Sequence, residues 1–164
     1  MAEVLSPIGA KLDERVTGTG TSSNEGNQFK VGQKAILDDG GEAVYVHASA
    51  AIVASDVVGI DENFEAAPIT KAMADDGFMV GFSPDAAFSD NDFGWVRTHG
   101  TNFTINVLAS CAADAVLYST GTAGKLDDAS SSQTKIDGVV IVTADGGSGS
   151  AIECIATHPK STTF

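Results

Sequence analysis

The feature of this chain that most constrains its fold is a succession of short β-rich runs that begins at Val31. Clusters of Gly, Asp, Asn and Ser separate the runs at intervals of about ten residues, which is typical of a β-sandwich or a small β-barrel. Valine outnumbers leucine, and this balance favours strands over helices. Since no window of helical length carries a sustained apolar stripe, we expect at most one short helix.

The pattern predicts ten strands, and a turn at His99 and Gly100 separates the sixth from the seventh. The predicted strands are residues 33–38, 42–49, 56–60, 69–73, 78–82, 93–98, 103–110, 115–119, 136–143 and 152–157. The alternation of apolar residues within these strands predicts the core. Its predicted members are Val44, Val46, Val58, Ile60, Val80, Phe82, Trp95, Ile105, Val107, Leu117, Val140, Val142, Ile152 and Ile155.

The two halves of the chain resemble each other when one is shifted by about 61 residues along the other. The shift aligns residues 44–49 with residues 105–110, and it aligns one Asp-Gly pair at 76–77 with another at 137–138. The match reflects either an ancient duplication or a chance likeness between two β-meanders. We predict one all-β domain over residues 31–164, with a pseudo-repeat of residues 42–98 and 103–158, because neither half alone buries both faces of its sheet.

Residues 1–30 carry little periodicity, and residues 17–28 are almost wholly small and polar. Such a segment is either a disordered leader or an extended arm that becomes ordered against a partner, because it buries too few apolar groups to fold alone. Five apolar residues of this leader lack an evident core and are predicted to bind the partner. They are Val4, Leu5, Ile8, Leu12 and Val16.

The net charge limits the partners of this chain. With 22 acidic residues against nine basic ones, the formal charge is −13 at pH 7, which makes a nucleic-acid backbone an electrostatically poor partner. The sequence shows neither a signal peptide nor a run of about 18 apolar residues. We therefore expect no nucleic-acid partner, no membrane insertion and synthesis in a cytoplasm.

The three histidines stand outside any recognisable catalytic frame, and the chain has no nucleophile elbow, zinc-protease helix or phosphate loop. His99 and His158 follow the last strands of the two proposed halves. This placement raises a hydrolase using the two histidines as a third hypothesis, behind the interpretation of both as ordinary turn and surface residues. We predict no catalytic residue, no enzyme activity and no cofactor.

No metal site is predicted either. Asp90 and Asp92 have the spacing of calcium ligands, but Thr101 stands where a closing glutamate is required. The two cysteines, Cys111 and Cys154, lack a CxxC spacing and are predicted to be buried free thiols. Trp95 lies inside a predicted strand, which favours a core residue over a sugar platform.

Four segments carry a resemblance to a known family. They are an Ala-rich turn followed by VVGID at residues 48–61, DDGFMVGF at 75–82, GWVRTHG at 94–100 and AGKLDD from Ala123. With this rhythm the chain resembles the capsid decoration, or cement, proteins of tailed bacteriophages over residues 31–157. The resemblance implies a small β-barrel or sandwich, often trimeric, that sits on the outer surface of the virion head and bridges copies of the major capsid protein. It implies no catalytic residue.

An alternative function belongs to the recognition class. In it the chain is a head-fibre or tail-associated adhesin domain that binds host surface glycans through the loops near Phe64 and Phe88.

Overall fold

The computed structural model describes residues 11–18, 29–84, 86–131 and 133–162. Within these ranges the chain is almost all β, with eleven strands and one short helix, so the predicted fold class is confirmed. The elements are β1 (Arg15–Thr17), β2 (Lys34–Ile36), β3 (Glu42–Ala48), β4 (Val57–Ile60), β5 (Glu65–Pro68), α1 (Lys71–Asp75), β6 (Met79–Phe82), β7 (Asp92–Asn106), β8 (Leu117–Ser119), β9 (Leu126–Asp127), β10 (Lys135–Ile141) and β11 (Ala151–Thr162). No helix in the described ranges is long and apolar enough to cross a membrane.

Five strands close a first small barrel. β3 pairs antiparallel with the first part of β7, β7 meets β6, β6 pairs with β4, β4 pairs with β5, and β5 returns to β3 as its parallel neighbour. A closed ring leaves no free edge within it and gives its inward side chains a common core. The buried residues of that core are Val44, Val46, Ala48, Ile52, Val58, Ile60, Ala66, Phe88 and Val96.

The second part of β7 begins another ring of the same kind. It pairs with β11, β11 with β10, β10 with β8 and β8 with β9, and a parallel bridge between Val107 and Leu126 brings β9 back beside the end of β7. The core here includes Ile105, Leu117, Leu126, Ile136 and Ile141, all buried. Both cysteines are free and buried in this core, which confirms their prediction as buried free thiols.

The two rings thus repeat one order of strand pairing, including the parallel contact that closes each ring. The Asp-Gly pairs lie at corresponding places, and Gly77 and Gly138 adopt similar positive φ values of 78° and 82°. Duplication stays a prediction.

The turn predicted at His99 and Gly100 is wrong, because β7 runs through both residues. The strand kinks there instead. Pairing shifts register between Glu42 and Ala43 on one side and between Cys154 and Ala156 on the other, as at a β-bulge. Gly100 has a φ of 135°, and a side chain there would come within 3.2 Å of the Gly41 Cα.

Residues 69–73 were predicted as a strand, which is wrong: residues 71–73 lie in α1, the one helix of the described residues. The Thr70 hydroxyl accepts a hydrogen bond from the Met73 N–H at 3.3 Å and caps the helix. The neighbouring strand β5 was missed because its sequence, EAAP, has low strand propensity. It is held by backbone pairing to β3 and β4.

Three predicted core residues lie outside the core. Val140, Val142 and Ile155 are 41%, 43% and 42% exposed, and Ile152 is only partly buried. Val139 and Ile141 are buried in their place. The prediction chose the wrong face of this hairpin.

A third cluster packs on the outside of the first barrel. It contains Ala35, Ala43, Tyr45, Phe93 and Trp95, and residues of the N-terminal part cover it. Trp95 is 2% exposed and makes edge contacts with the rings of Phe29 and Tyr45. Its prediction as a core residue is confirmed.

Candidate functional site

The described part of the leader forms an added strand on the first barrel. β1 pairs antiparallel with the start of β7, with Arg15 opposite Gly94 and Val16 opposite Phe93. Leu12 and Val16 pack against the aromatic cluster of the same chain, so these two predicted partner-binding residues do have a core of their own. Val4, Leu5 and Ile8 lie outside the described residues.

Arg15 fastens this strand. Its guanidinium lies 3.7 Å above the Phe88 ring and donates hydrogen bonds to the Ala86 carbonyl at 2.7 Å and the Leu12 carbonyl at 2.6 Å. Burial lowers the pKa of Arg15 to about 10, although the Asp92 carboxylate opposes the shift, so the side chain stays charged at neutral pH. The Arg15 side chain therefore holds β1 against the first barrel beside Phe88.

The structure brings His99 and His158 together at the kink of β7. Their rings stack with centroids 4.8 Å apart and 18° between planes, and His158 Nε2 lies 3.7 Å from Glu42 Oε1. Among the described residues neither imidazole is hydrogen-bonded to a hydroxyl or thiol, the contact by which a histidine activates a nucleophile. His47 lies elsewhere, against the Phe93 ring at 4.6 Å and 3.9 Å from Glu65.

The acidic residues considered as calcium ligands have separate roles. Asp92 is buried and accepts the Ser89 N–H at 2.7 Å, whereas Asp90 is exposed. A group that sequence spacing did not reveal is formed by Cys111, Asp127 and Asp128, whose ligand atoms all lie within 4.8 Å of one another.

The polar atoms of this group already serve the local fold. The Asp128 carboxylate accepts the Ala112 N–H at 3.1 Å. Burial, reinforced by the nearby carboxylates, raises the pKa of the Cys111 thiol to about 11, which keeps it protonated at neutral pH.

Asp145 organises the glycine-rich loop at residues 145–150. Its carboxylate accepts four backbone N–H groups, from Ser110, Gly147, Gly149 and Ser150, at 2.8 to 3.2 Å. These bonds hold the pKa of the carboxyl well below its usual range. The loop is thus shaped by one side chain from within the chain.

The aromatic residues of the adhesin alternative differ in their surroundings. Phe88 is 2% exposed and belongs to the first core, so its ring offers no face to a sugar. Phe64 is half-buried at the open end of the first barrel, where it lines a cavity of about 340 Å³ with Phe78 and Met79. Met79 also borders a second cavity, of about 440 Å³, between Val44 and Pro159.

Most of the few basic side chains are engaged within the fold, which leaves the surface strongly acidic. Besides Arg15, Arg97 pairs with Asp39 at 2.7 Å and Lys71 with Asp75 at 2.5 Å. Lys135 pairs with Asp137, and Lys125 donates to the Gly149 carbonyl.

Comparison with known proteins adds nothing to this geometry: no protein-family model and no curated protein matches the chain.

Proposed function

We propose that this protein is a non-enzymatic virion structural protein, a decoration or cement subunit that binds the outer surface of a phage head and stabilises the lattice of the major capsid protein. The observation that supports this most directly is the leader, which adds to the first barrel as β1 and is fastened there by Arg15. An anchored strand of this kind gives a binding arm the attachment to its own fold that the arm requires.

The five leader residues divide into two roles under this proposal. Leu12 and Val16 anchor the arm to its own barrel, where they pack on the aromatic cluster. Val4, Leu5 and Ile8 contact the capsid protein, with the extended segment adding a strand to a sheet of the partner. Anchoring one end in advance lowers the entropic cost of ordering the rest.

Charge and multiplicity support the same assignment. A chain with a formal charge of −13 is repelled by packaged DNA, so it belongs on the outside of a head rather than facing the genome. Copies bound at many equivalent positions each contribute modest binding energy, and together they stabilise the lattice against internal pressure. The resemblance adds the expectation of a homotrimer.

The test mixes the protein with expanded heads of the phage that encodes it and images them by cryo-electron microscopy. Three forms are compared: the full chain, a variant with Val4→Ser, Leu5→Ser and Ile8→Ser, and a control with Val53→Ser. Val53 is 57% exposed, so the control removes an apolar surface group without touching the leader.

We expect density at regular lattice positions with the full chain and the control, and its loss with the triple variant. Bare lattice with the full chain would overturn the decoration role. Full occupancy by the triple variant would leave that role in place and refute the assignment of the arm.

A further inference from the structure

We propose that the acidic groove at the open end of the first barrel binds an arginine or lysine side chain presented by a partner protein. The acidic groove is the cavity of about 340 Å³ whose polar rim is Asp61, Glu62 and Asp76 and whose apolar lining includes Phe64, Phe78 and Met79. The inference goes beyond the decoration role, because the groove would bind a basic side chain whether or not the partner is a capsid protein.

The lining suits the stem of a long basic side chain. Phe64 and Phe78 are half-buried, and Met79 is 37% exposed, so the cavity offers aromatic and thioether surface that is open to solvent. Lysine and arginine bury their methylene stems on such surface and keep the charged head in water. A cation near an aromatic face gains further attraction from the ring.

The rim supplies the opposite charge. Glu62 and Asp76 are exposed and Asp61 is half-buried, and none of the three forms an ion pair with a basic group in the described part of the chain. A cation in the groove is attracted by these carboxylates. A neutral sugar is not, and this favours a basic segment over a glycan as the occupant.

Hydrogen bonds order the two backbone segments that carry the rim. Asp61 Oδ1 accepts the N–H groups of Asn63 at 2.9 Å and Glu65 at 2.8 Å, which closes the turn between β4 and β5. On the other side, the Asp76 N–H bonds to the Ala72 carbonyl as α1 ends. A preformed site avoids the cost of ordering its own loops.

The structure also indicates the kind of residue that follows or precedes the basic residue in the partner's segment. Met79 is shared with the adjoining cavity of about 440 Å³, which Val44, Val80 and Pro159 line. An apolar side chain beside the arginine or lysine can therefore occupy that second cavity. The expected ligand is a segment with a basic residue next to an apolar one.

The probe is the peptide acetyl-Leu-Arg-Gly-amide, added to the ¹⁵N-labelled full chain at about 150 mM salt to screen diffuse attraction. The matched peptide carries citrulline, the neutral isostere, in place of arginine. We expect saturable chemical-shift changes at the amides of Gly77, Phe78 and Met79, with an affinity roughly tenfold higher for the arginine peptide. N-acetylglucosamine is titrated in parallel.

Two double variants distinguish binding in the acidic groove from attraction by the net negative charge of the protein. Glu62→Gln with Asp76→Asn should weaken arginine-peptide binding roughly tenfold, whereas Asp38→Asn with Asp90→Asn removes two exposed charges elsewhere and should not. Changes spread over the acidic surface, equal binding of both peptides, or groove shifts with the sugar alone would overturn the proposal. Since the probe is a free peptide, this result is independent of attachment to heads.

Discussion

At the scale of single residues, Asp145 is the clearest case of one side chain shaping a loop. Its carboxylate accepts four backbone N–H groups in a run of glycines and serines. The folded-state pKa of Asp145 is depressed, so its contribution to stability is present above the unfolded pKa of about 4 and is lost as pH falls toward the folded value.

Asp145→Asn should therefore lower the melting temperature at pH 7, and the gap to the parent protein should narrow steadily below about pH 4. Differential scanning fluorimetry over a pH series measures both effects. Asp90→Asn, at an exposed aspartate, is the control. A difference in melting temperature between Asp145→Asn and its parent that is the same at all pH values would contradict this role of the Asp145 carboxylate.

Arg15 gives a second prediction at this scale. Arg15→Lys keeps the positive charge but loses the planar fork that reaches both the Ala86 and Leu12 carbonyls. Because this side chain helps backbone pairing and the packing of Leu12 and Val16 to hold β1, trypsin should cleave after Lys11 several-fold faster in the variant, with the barrel intact. Timed digestion read by mass spectrometry tests this, and an unchanged rate would show that Arg15 does not hold the leader.

At the scale of elements, the β10–β11 hairpin is the case in which the buried face could not be predicted from the sequence. Residues 139–142 read VVIV, so the period-two alternation that marks a buried face is missing, and a one-residue error reverses the prediction. The bulge opposite Gly138 also shifts which residues face inward. In β3, where a polar His47 breaks the apolar run, Val44 and Val46 were correctly predicted as core.

Truncation separates the two faces of this hairpin. Ile141→Ala should cost about 2–5 kcal/mol of unfolding free energy because the side chain is fully buried. Val140→Ala should cost less than about 1 kcal/mol, since that side chain is 41% exposed. Urea denaturation of both variants measures the difference, and equal losses would mean that the faces are assigned incorrectly.

The kink in β7 depends on one glycine. A β-carbon at Gly100 would lie 2.6 Å from an Arg97 nitrogen at a φ of 135°, so Gly100→Ala should cost more than about 1 kcal/mol. Gly121 has open space around its Cα, and Gly121→Ala should stay within about 0.5 kcal/mol of the parent. Urea denaturation measures the unfolding free energy of both variants. An unchanged value for Gly100→Ala would show that the kink does not require a glycine.

The two candidate sites also show that a site formed by residues from distant parts of the chain is hard to predict from the sequence. The sequence placed His99 and His158 after corresponding predicted strands but favoured ordinary turn and surface residues, whereas in the structure both lie inside paired strands and their rings stack. The acidic groove was not predicted, because it joins the turn after β4 to the end of α1, and α1 itself was predicted as a strand. No local signal links these two loops before the barrel closes.

At the scale of the whole molecule, the net charge of −13 dominates behaviour. Added sodium chloride screens the repulsion among surface carboxylates, so the melting temperature should rise between about 20 mM and 500 mM salt. Attachment to a basic partner should weaken over the same range. Thermal scans and sedimentation with heads measure the two trends, and a melting temperature that falls with salt would show that attractive ion pairs outweigh the repulsion.

β7 is one unbroken strand of 15 residues that forms a wall of both barrels. The two rings are therefore joined by a paired strand that is kinked at Gly100, and not by an unpaired linker. A pull on either barrel is carried along a covalent chain already locked into its neighbour. Tension applied to one barrel therefore reaches the other through this shared strand, and the kink at Gly100 is the place along it where the regular pairing is interrupted.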